Sequence, residues 1–212
     1  MGHTVSERGV STNSEKVQAM STLPLPKDPK EIKSFQGTVG HYRKFIPNLA
    51  DRLIPWTRLL KKGAKFVVTA DMVDEFNRIK EALANAPVLR HPDFTRPFVL
   101  TTDASGVAVG AVLFQVKNNE DRPVAYASRK LTVTETRYPA IERELLGVVW
   151  GVQQSPLYLW GRYFSVKTDQ KPLVWVDRLK ENSARVTRRK ETLAAYDFDI
   201  GHTRFAKLAC PV

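Results

Sequence analysis

Two segments of the sequence end in the same way, on a threonine followed by an aspartate. Residues 99–103 and 165–169 each have the composition of a β-strand, and they close on Asp103 and Asp169. Between them lies a segment of helical periodicity that carries Glu142 and Glu144. Carboxylates are the hard oxygen ligands that Mg²⁺ prefers, and two such ions roughly 3.5–4 Å apart can hydrolyse a phosphodiester. These positions therefore predict a two-metal site in which one carboxylate bridges the ions.

The helical phase does not choose between Glu142 and Glu144, because both flank the apolar face of their helix. A capping aspartate or a solvated glutamate would explain each acidic residue by itself. The occurrence of two strand-end aspartates and a helix glutamate in this order favours the metal site.

The elements that must position these residues fall into two parts. Residues 1–92 are punctuated by proline and mainly helical, with Asp28 as the predicted cap of a helix that begins at Pro29. From about residue 92 the pattern changes to an α/β layout, in which ligands bind beyond strand ends. The further predicted elements are a helix at 72–83, strands at 97–103, 108–115, 123–128, 163–169 and 198–203, and helices at 138–154, near 173–176 and at 184–196.

The charge of the chain indicates a polyanionic partner. The formal net charge is +11 and the pI is near 9.8. Residues 1–92 carry 15 basic against 9 acidic side chains, and residues 93–212 carry 18 against 13, so both halves are basic. This distribution favours a long nucleic acid, bound through its phosphates in a salt-sensitive manner, although a solvated face has the same pattern. The candidate phosphate contacts are Arg43, Lys44, Lys61, Lys62, Arg185, Arg188, Arg189 and Lys190.

Other classes of protein are disfavoured by composition. Cys210 is the single cysteine, so an internal disulfide is excluded and a reducing compartment is expected. No apolar run approaches the length that spans a bilayer, so we expect no membrane partner. The predicted location is intracellular, in the cytoplasm or the nucleus.

Six motifs that match in order and spacing carry a resemblance to a known family. The chain resembles the C-terminal part of a gypsy-type LTR retrotransposon reverse transcriptase, from the end of the palm through the thumb into RNase H. Gly2-His3 and Gly9 are similar to the palm end, and Tyr42-Arg43-Lys44-Phe45-Ile46-Pro47 is similar to the thumb signature. The six motifs are Ala86-Pro87-Val88-Leu89, Thr102-Asp103-Ala104-Ser105, Gly110-Ala111-Val112-Leu113, Ala125-Tyr126-Ala127-Ser128-Arg129, Tyr158-Leu159-Trp160-Gly161 and Thr168-Asp169-Gln170-Lys171-Pro172-Leu173.

The resemblance implies an RNase H-like mixed sheet with flanking helices, preceded by a small, mainly helical, thumb-like domain. The implied domains are the palm end at 1–22, the thumb-like domain at 23–92 and the RNase H-like domain at 93–212. The resemblance selects Glu144, with Asp103 and Asp169, as a catalytic metal ligand. It implies Mg²⁺ as cofactor, with Mn²⁺ as a possible substitute, and the RNA strand of an RNA–DNA hybrid as substrate. Association with a full-length reverse transcriptase is a further implied partner.

Two departures from the family pattern qualify this expectation. The family usually has a tryptophan at the position of Arg189, and its terminal aspartate falls on Val212. A missing fourth carboxylate predicts weakened hydrolysis, and a missing terminal helix predicts exposed apolar sheet surface. The polymerase aspartates would precede Met1, so the chain alone is not expected to polymerise DNA. The alternatives are a non-catalytic nucleic-acid-binding relic and a host-adopted interaction or assembly module.

Overall fold

The structure is a computed structural model that describes residues 2–168 and 184–202. Strands β1 (His3–Ser6) and β2 (Gly9–Thr12) form an antiparallel hairpin, which the sequence interpretation of a mainly helical segment missed. Gly9 has a φ of 132°, and a Cβ there would lie 2.0 Å from the carbonyl oxygen of Leu89. Glycine is therefore required where β2 meets the segment that precedes the main sheet.

A helical region follows the hairpin. It contains α1 (Ser14–Ser21), α2 (Pro29–His41), a 3-10 turn (Arg43–Phe45), α3 (Leu49–Arg52), α4 (Ile54–Arg58) and α5 (Ala70–Ala84). The predicted cap of α2 is confirmed, because Oδ1 of Asp28 accepts a hydrogen bond from the backbone N–H of Glu31 at 2.7 Å. Phe35, Trp56 and Phe76, from three different helices, pack together in the core.

The second half of the chain forms a five-stranded mixed sheet with flanking helices. Its strands are β3 (Phe98–Ala104), β4 (Ala108–Lys117), β5 (Glu120–Lys130), β6 (Tyr163–Thr168) and β7 (Asp197–His202), in the spatial order β5-β4-β3-β6-β7. β3 is antiparallel to β4 and parallel to β6. β5 is antiparallel to β4, and β7 is parallel to β6. The flanking helices are α6 (Ala140–Gln154), α7 (Pro156–Leu159) and α8 (Ala184–Ala194).

The predicted strands and helices occur in the predicted order, with boundaries that shift by a few residues. The largest shift is in β5, which extends beyond the predicted 123–128 and includes Pro123. Proline is tolerated there because β5 is an edge strand and the pairing register shifts between Leu113 and Phe114, opposite Pro123. The helix predicted near 173–176 lies outside the described residues, as do residues 169 and 203 at the predicted strand ends.

Both faces of the sheet are covered. Leu100, Leu113 and Val124 pack in the hydrophobic cluster of α6 and α8. Val99, Val112, Phe114 and Tyr126 are 4–8% exposed and belong to the cluster of the helical region. The helices before residue 92 therefore cover these strands on the face opposite α6. The expected exposure of the surface that a terminal helix would cover stays a prediction. Within the described ranges, no helix is long and apolar enough to cross a membrane.

Candidate active site

Asp103 lies near the C-terminal end of β3, the central strand of the sheet, and is half-buried. Its Oδ2 accepts a hydrogen bond from Nδ2 of Asn48 at 3.5 Å. Alternation along β3 places the side chains of Leu100 and Thr102 toward α6 and that of Asp103 on the opposite face. The carboxylate thus meets the helical region rather than the core beneath α6.

The segment at 47–51 of the helical region closes over this strand end. The backbone N–H of Ala50 donates to Oγ of Ser128 on β5 at 3.0 Å, and Oγ of Ser105 donates to Oδ1 of Asp51 at 3.0 Å. Asn48 has a φ of 50°, in the left-handed region that asparagine adopts more readily than most residues. No local sequence pattern indicates that the 47–51 segment contacts the end of β3, because Asn48 and Asp103 are 55 positions apart.

A small cavity remains between this segment and the strand end. Its volume is about 30 Å³, and Asn48, Asp51, Asp103, Ser105 and Ser128 are among the residues that line it. That is about the volume of one water molecule in the liquid. The 47–51 segment therefore borders the space in front of Asp103.

Glu144 lies on the buried side of α6 and is 5% exposed. Glu142 faces the other way and forms an ion pair with Arg185 at 2.8 Å. The structure therefore distinguishes the two glutamates that the helical phase left equivalent. A Cβ at Gly147, one turn after Glu144, would lie 3.9 Å from the carbonyl oxygen of Asp103, so α6 crosses the end of β3 in direct contact.

The third predicted ligand, Asp169, lies outside the described residues, and so does Val212. Strand β6, which precedes residue 169 in the sequence, is described as far as Thr168 and runs parallel to β3. Across residues 2–168 and 184–202, no group of three or more histidine, cysteine, aspartate or glutamate side chains is close enough to hold a metal ion. The convergence of three carboxylates stays a prediction. Asp103 and Glu144, on elements in contact, are oxygen donors of the chemistry that a hard divalent cation requires.

Two of the predicted phosphate contacts hold α8 against α6. The guanidinium groups of Arg185 and Arg189 lie 4.1 and 5.1 Å from the ring centroid of Tyr138, and Nη1 of Arg189 donates to the carbonyl oxygen of Glu142 at 3.2 Å. The carboxylate of Glu142 raises the pKa of Arg185, and burial lowers the pKa of Arg189. The cation at position 189 thus lies against an aromatic ring.

The other predicted phosphate contacts are distributed over the surface. Arg43, Lys61, Lys62 and Arg188 are exposed, and Lys44 and Lys190 are half-buried. Arg43 and Lys44 lie beside the edge strand β5, whereas Lys61 and Lys62 follow α4. The structure does not gather these residues into one patch, and their role in nucleic-acid binding stays a prediction.

Residues 93–196 match the family described as the RNase H-like domain found in reverse transcriptase. Residues 93–196 belong to the reverse transcriptase RNase H-like family. It is 41% identical over 205 residues to the retrovirus-related Pol polyprotein from transposon 297 of Drosophila melanogaster, covering 96% of this chain and 19% of the relative. It is 32% identical over 208 residues to the Tf2-3 polyprotein of Schizosaccharomyces pombe, covering 95% of this chain and 16% of the relative. The chain therefore spans about a fifth of the length of these relatives.

Solved structures show the same RNase H-like fold together with the preceding helical region. The foamy viral protease-reverse transcriptase in complex with double-stranded DNA superposes with a TM-score of 0.74 at 20% identity, covering 97% of this chain and 37% of that chain. The same viral protein in complex with an RNA/DNA hybrid gives a TM-score of 0.74, covering 100% of this chain and 30% of that chain. The mixed sheet with flanking helices predicted from the sequence is confirmed.

Proposed function

We propose that this chain is an RNase H-type endonuclease that cleaves the RNA strand of RNA–DNA hybrids by a two-metal mechanism. The observation that carries the proposal is the contact of α6, which carries the buried Glu144, with the backbone at the end of the central strand, where Asp103 lies. This arrangement occurs within a domain of the reverse transcriptase RNase H-like family.

Asp103, Glu144 and Asp169 would hold the divalent cations, with Asp103 as the shared ligand. When bound, Mg²⁺ activates a water molecule and stabilises the leaving oxygen, and Mn²⁺ can substitute for it. Asn48 orients the Asp103 carboxylate through its hydrogen bond to Oδ2. The burial of Glu144 keeps its side chain on the covered side of α6.

A duplex partner is supported by charge and by the structural neighbours. The net charge of +11 favours phosphate contacts, and the similar foamy viral protein was solved with double-stranded DNA and with an RNA/DNA hybrid. Contacts to an A-form helix are made mainly to phosphates and 2′-hydroxyl groups, so binding should be salt-sensitive and largely independent of sequence. Since the chain spans a fifth of its relatives, association with a longer reverse transcriptase belongs to the same proposal.

The residue at position 212 sets the expected strength of the activity. With valine rather than a fourth carboxylate at position 212, Asp103, Glu144 and Asp169 would be the residues left to hold the cations. Hybrid binding is therefore expected to survive better than turnover. Manganese, which tolerates poorer ligand geometry, is expected to give faster cleavage than magnesium.

The deciding experiment follows cleavage of a hybrid labelled on its RNA strand. We compare the unmodified chain, Asp103→Asn and the matched control Asp121→Asn, which removes an exposed carboxylate in the β4–β5 turn region. The expected result is weak magnesium-dependent cleavage, enhanced by manganese, retained in Asp121→Asn and lost in Asp103→Asn. Equal cleavage by all three proteins would show that Asp103 does not carry the activity.

A second function, binding of nucleic acid without catalysis, is favoured by the valine at position 212. Hybrid affinity, measured by fluorescence anisotropy beside the cleavage assay, separates the binding function from the nuclease function. Salt-dependent hybrid binding with no cleavage in either metal, by the unmodified chain or by a chain extended with the missing aspartate, would establish the binding function. Restored cleavage in the extended chain would establish the nuclease with an incomplete site.

A further inference from the structure

A second and much larger cavity runs along the outer edge of β5, the edge strand of the sheet. Its volume is about 510 Å³, and we call it the β5-edge groove. Ala125 and Ala127 of β5 form part of its floor, and Trp150 of α6 forms one wall. The opposite wall comes from the helical region and the N-terminal hairpin, with His3, His41, Arg43 and Lys44.

One wall of the β5-edge groove is basic. Among the described residues that line it, none is an aspartate or a glutamate, whereas Arg43 and Lys44 bring two cations to one wall. His3 and His41 stack beside them with ring centroids 4.9 Å apart. Burial, followed by the charge of Lys44 and His41, lowers the pKa of His3. An anion is the ligand that would balance this wall.

The facing wall offers a planar surface. The guanidinium of Arg129 lies 5.7 Å from the ring centroid of Trp150, and the same guanidinium is held by two hydrogen bonds to Glu135 at 2.7 and 2.9 Å. Arg129 therefore fixes the indole rather than supplying a free charge. Trp150 is one of the residues that line the groove, and Ala125 and Ala127 beside it have small side chains.

The size of the β5-edge groove restricts the class of ligand. A volume of 510 Å³ falls within the range of about 300–1,000 Å³ that encloses a single small ligand. One or two nucleotides fit such a space, whereas a duplex does not. Stacking of bases on aromatic side chains beside a basic wall is the common way in which proteins hold single strands.

The β5-edge groove begins next to the candidate active site. Ser128 lines both this groove and the cavity of about 30 Å³ beside Asp103. We propose that the β5-edge groove binds an unpaired nucleic-acid strand, with phosphates against Arg43 and Lys44 and a base against Trp150. The source of that strand, an unpaired end of the substrate, rests on the proposed function, but binding in the groove needs no metal.

The test uses a fluorescein-labelled tetrathymidylate and measures anisotropy without metal over a series of salt concentrations. The double variant Arg43→Ala/Lys44→Ala should lower the salt slope of log K by about 1.4, since each single-strand contact contributes about 0.7. Affinity near physiological salt should then fall roughly tenfold. The matched control Lys30→Ala/Lys33→Ala removes two exposed cations at the other end of α2 and should leave the slope unchanged.

Trp150 supplies an independent arm of the test. Trp150→Leu should weaken binding of the tetrathymidylate about five- to a hundredfold, the range of one base–aromatic stack, while Trp150→Phe should keep most of the affinity. Equal slopes for the two double variants, or equal affinities for Trp150→Leu and Trp150→Phe, would overturn the proposal. In the unmodified chain, tetrathymidylate binding without hybrid cleavage would reject the proposed nuclease alone, and hybrid cleavage without tetrathymidylate binding would reject the groove alone.

Discussion

The sharpest prediction concerns two glycines of α6 that differ only in what lies beneath them. Replacing glycine by alanine inside a helix stabilises it by roughly 0.5–1 kcal/mol, and this gain is the same at Gly147 and Gly151. A Cβ at Gly147 would lie 3.7 Å or more from its neighbours, which is ordinary van der Waals contact. We therefore expect Gly147→Ala to raise the free energy of unfolding by roughly 0.5–1 kcal/mol.

The same substitution at Gly151 has the opposite expected sign. Its Cβ would lie 2.9 Å from Cγ2 of Thr102 and 3.3 Å from Cβ of Ala111, both on strands of the sheet. Because a packed sheet cannot give way, α6 must move outward, and such overpacking costs about 1–3 kcal/mol. After the helix-propensity gain, Gly151→Ala should lower the free energy of unfolding by up to about 2.5 kcal/mol.

Thermal unfolding followed by circular dichroism measures both variants against the unmodified chain. For a chain of this size, a change of 1 kcal/mol moves the midpoint temperature by about 2–4 °C, so the variants should separate by several degrees. A pair of variants with equal midpoints would show that the close approach of α6 to β3 at Gly151 is wrong. It would also remove the support for placing Glu144 beside the end of β3.

Three further outcomes are expected. Hydrogen bonds from Arg129 lower the pKa of Glu135 from 4.5 to about 2. The pair therefore stabilises the fold above pH 4.5, and this contribution is lost as pH falls toward 2. Glu135→Gln should flatten the pH dependence of the free energy of unfolding between these values and cost on the order of 1–3 kcal/mol at pH 7. Tyr138→Ala should cost about 1 kcal/mol or more and speed hydrogen exchange in α8, whereas Tyr138→Phe should not, because the cation–π contacts need only the ring. A disulfide in Ala50→Cys/Ser128→Cys, with the native cysteine replaced by serine, should abolish hybrid cleavage until reduced, because it fixes the 47–51 segment over Asp103.

Each of these expectations has an outcome that would contradict it. If Glu135→Gln lost stability at acid pH as the unmodified chain does, the ion pair would not form in solution. Equal exchange rates in the alanine and phenylalanine variants of Tyr138 would show that the arginines of α8 do not hold it to α6. Full cleavage by the oxidised double-cysteine chain, with the disulfide verified by mass spectrometry, would show that hybrid reaches Asp103 without movement of the 47–51 segment.

Local patterns predicted the elements of this fold well. The helix that begins at Pro29 and the helix around residues 72–83 were predictable because a cap and a 3.6-residue apolar period are properties of adjacent residues. The strands of the main sheet were predictable because short β-rich runs bounded by turn residues are also properties of adjacent residues. The N-terminal hairpin was not, because β1 and β2 have four residues each and their partly polar sequences carry no apolar alternation.

The sequence by itself determined the order of strands and helices, the basic charge and the identity of the carboxylates at the strand end and on α6, because residue types and short-range periodicity contain that information. Only the tertiary structure decided that Glu144 and not Glu142 is buried, since both lie at the border of the apolar face and packing against the sheet sets the rotation of the helix. It alone brought Asn48 to Asp103 across 55 residues, and it alone formed the β5-edge groove. Such contacts depend on how separate elements dock in space, and no periodicity within one element encodes them.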